Sequence, residues 1–152
     1  MESSDDLERI LRILERDGRT VPEKVAEMLG LSPESVRDLI EKAEQDKVLL
    51  KYKAVVNWDR AGYHSVQALI EVRVVPERGV GFDAVAERIY RFPEVRSLWL
   101  LSGTYDLAVI VTGATMHDVA AFVSEKLATI EHVSGTVTHF LLKRFKEEGE
   151  IL

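Results

Sequence analysis

The chain has 152 residues, 46% of them hydrophobic and 30% charged, which is enough for one ordinary domain or two small ones with a buried core. The absence of cysteine excludes disulfides, thiolate metal sites and cysteine nucleophiles. No apolar run reaches the roughly eighteen residues that a membrane span needs, and the acidic start MESSDD does not resemble a signal peptide, so we expect a cytoplasmic protein with no membrane partner.

The charge of the chain is acidic throughout. There are 20 basic and 26 acidic residues, for a formal net charge of −6. The first 60 residues contain 11 basic and 14 acidic side chains, and the remaining residues contain 9 and 12, so each part has a net charge of −3. A nucleic-acid-binding domain is usually basic, and neither part of this chain is.

The N-terminal part predicts three helices. Apolar residues at helical spacing predict the first over residues 4–17, with Gly18 at its end. Thr20-Val21-Pro22-Glu23 and Ser32-Pro33-Glu34 are start signals for two further helices. The short break between these helices contains Gly30, which is typical of a helix-turn-helix, and residues 48–56 predict a wing strand or hairpin. A three-helix bundle with no nucleic-acid function has the same apolar spacing.

The C-terminal part changes in pattern after the polar stretch at residues 57–62, which predicts a hinge. We therefore divide the chain into a winged helix-turn-helix domain at 1–57, a linker at 58–65 and a second domain at 66–152. In the second domain the spacing of apolar residues changes between that of a strand and that of a helix. It predicts strand 66–75, helix 82–90, strands 98–101 and 107–111, helix 115–130 with a capping box at Thr115 and Asp118, and strand 133–145. This order predicts an α+β, ferredoxin-like βαββαβ domain with an antiparallel sheet and helices on one face.

The two middle strands flank a polar loop, Ser102-Gly103-Thr104-Tyr105-Asp106. Both strands are apolar almost throughout, which predicts central strands covered on both faces. Gly103 would let the backbone turn or approach a neighbour closely. The Asp106 carboxylate can fold back onto nearby main-chain N–H groups. A tight hairpin with no further role explains the spacing equally well.

Together these features resemble the Lrp/AsnC (feast/famine) transcriptional regulators. The residues that carry the resemblance are Gly30-Leu31-Ser32 with the following Val36-Arg37, the segment from Tyr52 to Gly62, and above all Gly103-x-Tyr105-Asp106 in the hairpin. The resemblance covers nearly the whole chain. It implies a winged helix-turn-helix that binds double-stranded DNA and a RAM-type βαββαβ domain that binds a small effector, commonly an amino acid.

The resemblance also implies partners and site residues. Members dimerise through the sheet, often assemble further into tetramers or octamers, and bind the effector between dimers at the hairpin loop. The implied effector site contains Ser102, Gly103, Thr104, Tyr105 and Asp106, completed by the following helix and last strand of a neighbouring subunit, that is Asp118, Phe122, Thr136 and Thr138. Asp118 is equally placed to complete the Thr115 cap. Thr136 and Thr138 are equally well explained as surface residues with no role in binding. Candidate DNA contacts are Ser32, Ser35, Arg37, Lys42, Lys51 and Lys53.

The third helix departs from the family pattern, in which it is commonly rich in Arg and Lys. Residues 33–47 carry three basic and five acidic side chains, whereas DNA affinity draws strongly on neutralised phosphates. Lys47 replaces the glycine that usually ends this helix. An alternative function is therefore a metabolite-sensing or interaction oligomer with weak or no DNA binding. DNA binding stays the first expectation, because Ser35 and Arg37 near the helix start could reach base edges, Lys51 and Lys53 could hold the backbone, and oligomerisation would multiply weak contacts into avidity.

We expect no catalytic or metal chemistry and no cofactor. The four histidines, His64, His117, His132 and His139, are scattered, and no metalloprotease, Walker or nucleophile-elbow motif occurs. A siroheme-decarboxylase-like enzyme shares the architecture, but it needs cationic or histidine residues around a carboxylated macrocycle, and the hairpin region offers few. The expected function is a transcriptional regulator and not an enzyme.

Overall fold

A computed structural model describes residues 2–75 and 81–152 of the chain. It divides into two compact units, Met1–Val55 and Val56–Leu152. No helix among the described residues is long and apolar enough to cross a bilayer.

The N-terminal unit contains three helices: α1 Glu2–Arg16, α2 Pro22–Leu29 and α3 Pro33–Gln45. Helix α1 begins two residues before the predicted start. Gly30 ends α2 in the left-handed conformation with φ of 72°, and the Ser32 hydroxyl caps α3 by accepting a hydrogen bond from the Ser35 N–H at 3.1 Å. The buried side chains that join the helices are Ile10, Leu14, Val25, Ala26 and Val36. The predicted helix-turn-helix is confirmed.

The predicted wing strand at residues 48–56 does not form, and no other strand is present among the described residues 2–55 to pair with it. Instead the chain turns back at Lys47, which has a left-handed φ of 58°, and the N–H groups of Val48 and Leu49 both donate to the Ala43 carbonyl. The Tyr52 hydroxyl then donates to the Glu44 carboxylate at 2.9 Å. The segment is therefore extended coil held against the end of α3.

The C-terminal unit has the predicted strand–helix order. Its elements are β1 Val66–Val74, α4 Phe82–Tyr90, β2 Val95–Leu100, β3 Leu107–Gly113, α5 Met116–Ala121, a π-helical segment Phe122–Leu127, and β4 Val133–Phe140, followed by the short pair β5 Lys146–Glu147 and β6 Glu150–Ile151. The main sheet is antiparallel with strand order β2-β3-β1-β4. This is the ferredoxin-like βαββαβ arrangement, so the predicted fold class is confirmed.

Both helices cover the same face of the sheet, because alternate residues of each strand pack on them. The core on that face consists of Ala68, Ile70, Val72, Val74, Val85, Ile89, Leu107, Val109, Val111, Val119, Phe122 and Leu127. The opposite face, which we call the open face, carries the other set: Leu69, Glu71, Arg73, Trp99, Ala108, Ile110, Val137 and His139. Trp99 is 50% exposed there.

Three details of the C-terminal unit differ from the sequence prediction. Strand β3 is central as predicted, but β2 is an edge strand, with β3 as its single neighbour among the described strands. The helix predicted to continue to residue 130 changes to π-helical hydrogen bonding at Phe122, and the Ala128 N–H donates to the Val123 carbonyl, five residues back. The last strand ends at Phe140 and not at residue 145.

Candidate effector and nucleic-acid sites

The hairpin loop at residues 101–106 is fixed at its base by Asp106. Its N–H donates to the Val72 carbonyl at 3.1 Å, its carbonyl accepts from the Leu101 N–H at 2.8 Å, and its carboxylate accepts from the Val74 N–H at 2.8 Å. Strand β3 begins at Leu107, opposite Val72, so the Val74 N–H lies beyond the end of that ladder. The Asp106 carboxylate therefore accepts from a main-chain N–H as predicted, but the donor is Val74 of β1 and not a neighbour in the turn, and the bond uses the Oδ2 atom.

The tip of the loop is open to solvent. Ser102, Gly103 and Thr104 are exposed, and Tyr105 is half-buried. Gly103 does not have a positive φ, and a Cβ at this position would meet no atom within 4 Å. The turn therefore does not depend on a glycine here, contrary to the sequence interpretation. The exposed loop backbone leaves polar groups and free space for a ligand.

Tyr105 has a basic neighbour that the sequence interpretation did not single out. The Cζ atom of Arg73 lies 5.1 Å from the centroid of the Tyr105 ring, a cation–π arrangement. Arg73 is exposed and lies on the open face at the end of β1 nearest the hairpin. The signal in the sequence was an arginine at an outward position near the end of β1. The hairpin loop thus has a cation beside the ring of Tyr105.

Asp118 lies at the start of α5, where it forms a capping box with Thr115. The Asp118 N–H donates to the Thr115 hydroxyl at 3.1 Å, and the Asp118 carboxylate accepts from both the Thr115 N–H and hydroxyl at 2.8 Å. The hydrogen bond from the Thr115 hydroxyl, followed by the one from its backbone N–H, holds the pKa of Asp118 below its ordinary value. The predicted cap is confirmed, and it uses the Oδ2 atom of this carboxylate.

Asp118 and the hairpin lie at opposite ends of the sheet within one chain. Strand β3 leaves the hairpin at Leu107 and reaches Gly113 just before α5, a distance of roughly 20 Å at about 3.4 Å per residue. A single chain therefore does not bring Asp118 to the loop. A shared site requires the α5 start of another subunit.

The other residues implied for the effector site lie on the helix-covered side. Phe122 is only 4% exposed and packs edge-to-face on Phe92, with ring centroids 5.5 Å apart. Its side chain belongs to the core and is not available to a ligand in this chain. Thr136 and Thr138 share one face of β4, opposite Val72 and Ile70, and both are half-buried.

The N-terminal half of α3 borders a shallow depression of about 430 Å³. It brings together three of the predicted DNA contacts, Ser32, Ser35 and Lys42, but also two acidic side chains, Glu34 and Asp38. The Ser32 hydroxyl is already used as the helix cap. The local charge is therefore less favourable for phosphate than the positions of the three predicted residues alone suggest.

Arg37, the fourth predicted contact on α3, forms an ion pair with Glu23 on α2. A backbone hydrogen bond, followed by the one from Arg37, lowers the pKa of Glu23, so its carboxylate is charged at neutral pH. Arg37 must leave this partner to reach a phosphate or a base. Lys51 and Lys53 lie on the exposed coil after α3.

A cleft of about 400 Å³ between α4 and the edge strand β2 was not predicted. Its floor is apolar, with Phe82 and Leu98, and Asp83 and Arg96 lie at its margin. Among the described residues, no group of three or more histidine, aspartate or glutamate side chains is placed to hold a metal ion.

Comparisons with known proteins agree with these two units. Residues 8–44 match the AsnC-type helix-turn-helix domain, and residues 67–151 match the Lrp/AsnC ligand binding domain. The chain belongs to the Lrp/AsnC family. It is a DNA-binding transcriptional regulator of the Lrp/AsnC type with a ligand-binding domain.

Among relatives within the Lrp/AsnC family, an uncharacterized HTH-type transcriptional regulator of Bacillus subtilis, YugG, is 48% identical over 143 residues, covering 93% of this chain and 86% of that protein. The HTH-type transcriptional regulator FL11 of Pyrococcus furiosus is 28% identical, covering 97% and 95%. The leucine response regulatory protein LrpA of Mycobacterium tuberculosis has the same fold, with a TM-score of 0.80 at 21% identity over 96% and 97% of the two chains. So does the regulator NMB0573 of Neisseria meningitidis in complex with L-Met, with a TM-score of 0.72 at 24% identity over 93% and 90%.

Proposed function

We propose that this Lrp/AsnC regulator senses a small effector, an amino acid, at the hairpin loop between dimers, and that the effector controls its oligomeric state and its binding to DNA. The observation that carries the proposal is the hairpin itself. Asp106 anchors its base to β1 through two hydrogen bonds and closes the loop through a third with Leu101, while the polar tip at residues 102–104 stays exposed. A fixed base with an open polar tip is suited to binding a small polar molecule.

The open face supports the dimer in this proposal. Apolar side chains such as Leu69, Ile110 and the half-exposed Trp99 lie on the sheet surface opposite the one that α4 and α5 cover. Apolar surface of this kind is stabilised by burial against a second copy. Assembly of dimers into tetramers or octamers would then bring the α5 start and β4 of one subunit, with Asp118, Thr136 and Thr138, towards the hairpin of another.

The nature of the effector is supported by the family. The related Neisseria meningitidis structure is described as a complex with L-Met, an amino acid. An effector that binds one arrangement of dimers more tightly than another shifts the population of arrangements, and the DNA-binding heads move with it.

DNA binding in this proposal uses the N-terminal half of α3 and the coil that follows it. Ser35, Arg37 and Lys42 would face the groove, and Lys51 and Lys53 would contact phosphates. Each head is a weak binder because of its acidic neighbours, and an oligomer that engages several half-sites compensates by avidity. We take residues 1–57 as the head, 58–65 as the linker and 66–152 as the effector domain; in the linker the rings of Trp58 and Tyr63 are in edge-to-face contact at 5.9 Å.

The test is binding of the full-length protein to its own upstream DNA and to a scrambled duplex across a salt series. We expect a preference of about 10³-fold or more for its own fragment and a log-linear loss of affinity with salt. Glu23→Gln, which frees Arg37, should strengthen binding and increase the salt slope by about 1. Arg37→Gln should weaken it, and Arg88→Gln, on α4 of the other unit, is the matched control.

A second function is favoured by one observation, the acidic side chains Glu34 and Asp38 beside the predicted DNA contacts. On this alternative the protein is an effector-sensing oligomer without a DNA target. The two functions separate cleanly, because the alternative requires that neither duplex binds at low salt while the effector still binds.

A further inference from the structure

We propose that the cleft between α4 and the edge strand β2 is a second small-molecule site, which binds a free amino acid with a large apolar side chain. Asp83 of α4 holds the amino group of this ligand, and Arg96 of β2 holds its carboxylate. The site goes beyond the proposed function, because it lies within one chain and contains none of the residues implied for the hairpin site.

The first step is the size and lining of the cleft. Its volume of about 400 Å³ lies within the range of small-molecule pockets. The floor is apolar, since Leu107 is only 1% exposed and Phe82 and Leu98 are half-buried. The Leu98 side chain points to the helix-covered side, because its partner on β3 is the buried Val109. A ligand side chain on this floor is removed from water, which favours an apolar one.

The second step is a β-bulge that brings Arg96 to the cleft. Val95 lies opposite Val111 and Ser97 lies opposite Ile110, so Arg96 is an extra residue without a partner on β3. In a regular strand the residue after the core-facing Val95 would point to the open face. A bulge changes the direction of the side chain at that point, and Arg96 lines the cleft instead.

The third step is the contrast between the charged side chains that line the cleft and those beside it. On α4 and at its end, Glu87 is ion-paired with Arg91, and Arg88 also has an acidic partner; none of these lines the cleft. In the part of the chain that the structure describes, Asp83 and Arg96 form no ion pair, either with each other or with another residue. An unpaired acid and an unpaired base beside an apolar floor match the two charges and the side chain of a zwitterionic amino acid.

The experiment is titration of the full-length protein with L-phenylalanine, followed by NMR of ¹³C-labelled alanine and leucine methyl groups. The ring of the bound ligand should shift the methyl signals of Ala86 and Leu98, which both line the cleft. Two analogues separate the charges: 3-phenylpropionate lacks the amino group, and 2-phenylethylamine lacks the carboxylate. The wild type should bind phenylalanine at least about tenfold more tightly than either analogue.

Two variants should change this selectivity in opposite ways. Arg96→Gln should weaken phenylalanine binding roughly 10- to 100-fold and remove the preference over 2-phenylethylamine, while the preference over 3-phenylpropionate remains. Asp83→Asn should remove the preference over 3-phenylpropionate and keep the other. Arg91→Gln is the matched control, since it removes an exposed arginine that does not line the cleft. Ala86→Met should weaken the binding of all three ligands without lowering the unfolding temperature, because it fills the cleft.

The outcomes distinguish this inference from the proposed function. Tyr105→Ala alters the hairpin site and should leave the ligand-induced shifts of Ala86 and Leu98 in place. If it abolishes them, the ligand acts at the hairpin, and the cleft site is wrong while the proposed effector site stands. Unshifted Ala86 and Leu98 signals in the wild type would also overturn the cleft site. Equal losses of affinity for all three ligands in Arg96→Gln and Asp83→Asn would show that these residues are structural and refute their assigned roles.

Discussion

Replacing Asp106 tests whether this residue acts mainly by holding the hairpin in place. In Asp106→Ala the Val74 N–H loses its acceptor at 2.8 Å, and Val74 is only 5% exposed, so water does not readily replace the lost bond. A hydrogen bond to a charged group contributes about 1.5–3 kcal/mol, and an unsatisfied buried donor has a similar cost. We expect Asp106→Ala to reduce the free energy of unfolding of the C-terminal unit by about 2 kcal/mol, and Asp106→Asn by about half as much.

The assay is urea unfolding followed by tryptophan fluorescence at a fixed protein concentration. Both tryptophans, Trp58 and Trp99, lie in the unit Val56–Leu152, so the signal reports on the unit that contains Asp106. For a domain of this size, 2 kcal/mol corresponds to a fall in Tm of roughly 8–16 °C. Asp38→Ala makes the same charge change in the other unit and should leave the transition in place.

The reasoning is refuted if Asp106→Ala unfolds at the wild-type urea midpoint. If it also loses affinity for the effector, Asp106 acts as a ligand contact and not as an anchor of the hairpin. A loss of stability with the affinity preserved at low temperature supports the anchoring role.

Three further changes test other parts of the structure. Lys47→Gly should stabilise the N-terminal unit by roughly 0.5–1 kcal/mol, because glycine relieves the left-handed φ at position 47, as measured by hydrogen exchange of α3 amides. Phe122→Ala should destabilise the C-terminal unit by about 3–5 kcal/mol, as measured by urea unfolding, because the ring is a core residue. The folded state lowers the pKa of Asp118, so its charged carboxylate stabilises the protein above the ordinary aspartate pKa of about 3.9, and this stabilisation is lost as the pH falls through the folded value. Between about pH 5 and pH 2, the Tm of Asp118→Asn should therefore fall less steeply than the Tm of the wild type.

Each of these changes has its own check. Lys47→Ala removes the same charge but keeps a side chain at the left-handed position, so equal stabilisation by Ala and Gly would contradict the backbone explanation. Phe122→Leu should recover most of the stability lost in Phe122→Ala if packing is the cause. A wild-type Tm as insensitive to acid as that of Asp118→Asn would show that the capping box is not the relevant titrating group.

Local signals with a physical mechanism were predictable from the sequence. The alternation of strand and helix periods predicted the βαββαβ order, and the spacing of Thr115 and Asp118 predicted the cap of α5. The turn chemistry of Asp106 predicted its hydrogen bond to the main chain, although its acceptor role at Val74 depends on a strand more than thirty residues earlier.

The features that were not predictable depend on contacts that a sequence pattern does not contain. The change to π-helical hydrogen bonding at Phe122 is one of them, because the apolar spacing of residues 119–130 fits a regular α-helix equally well. An apolar strand looks the same at the centre of a sheet as at an edge with an open apolar face, which is why β2 was assigned wrongly. The cation at the hairpin, Arg73, comes from another strand and is recognised only once the sheet is assembled.

The open face of the sheet also links the stability of this protein to its own abundance. If a second copy covers the face, association contributes to the free energy of folding by mass action, so that dilution lowers Tm. A freshly made chain is then at its least stable when few copies are present, and chains that fail to find a partner are the first to unfold and be degraded. The fluorescence of the half-exposed Trp99 would measure this association, because it reports the burial of the open face as the protein concentration rises.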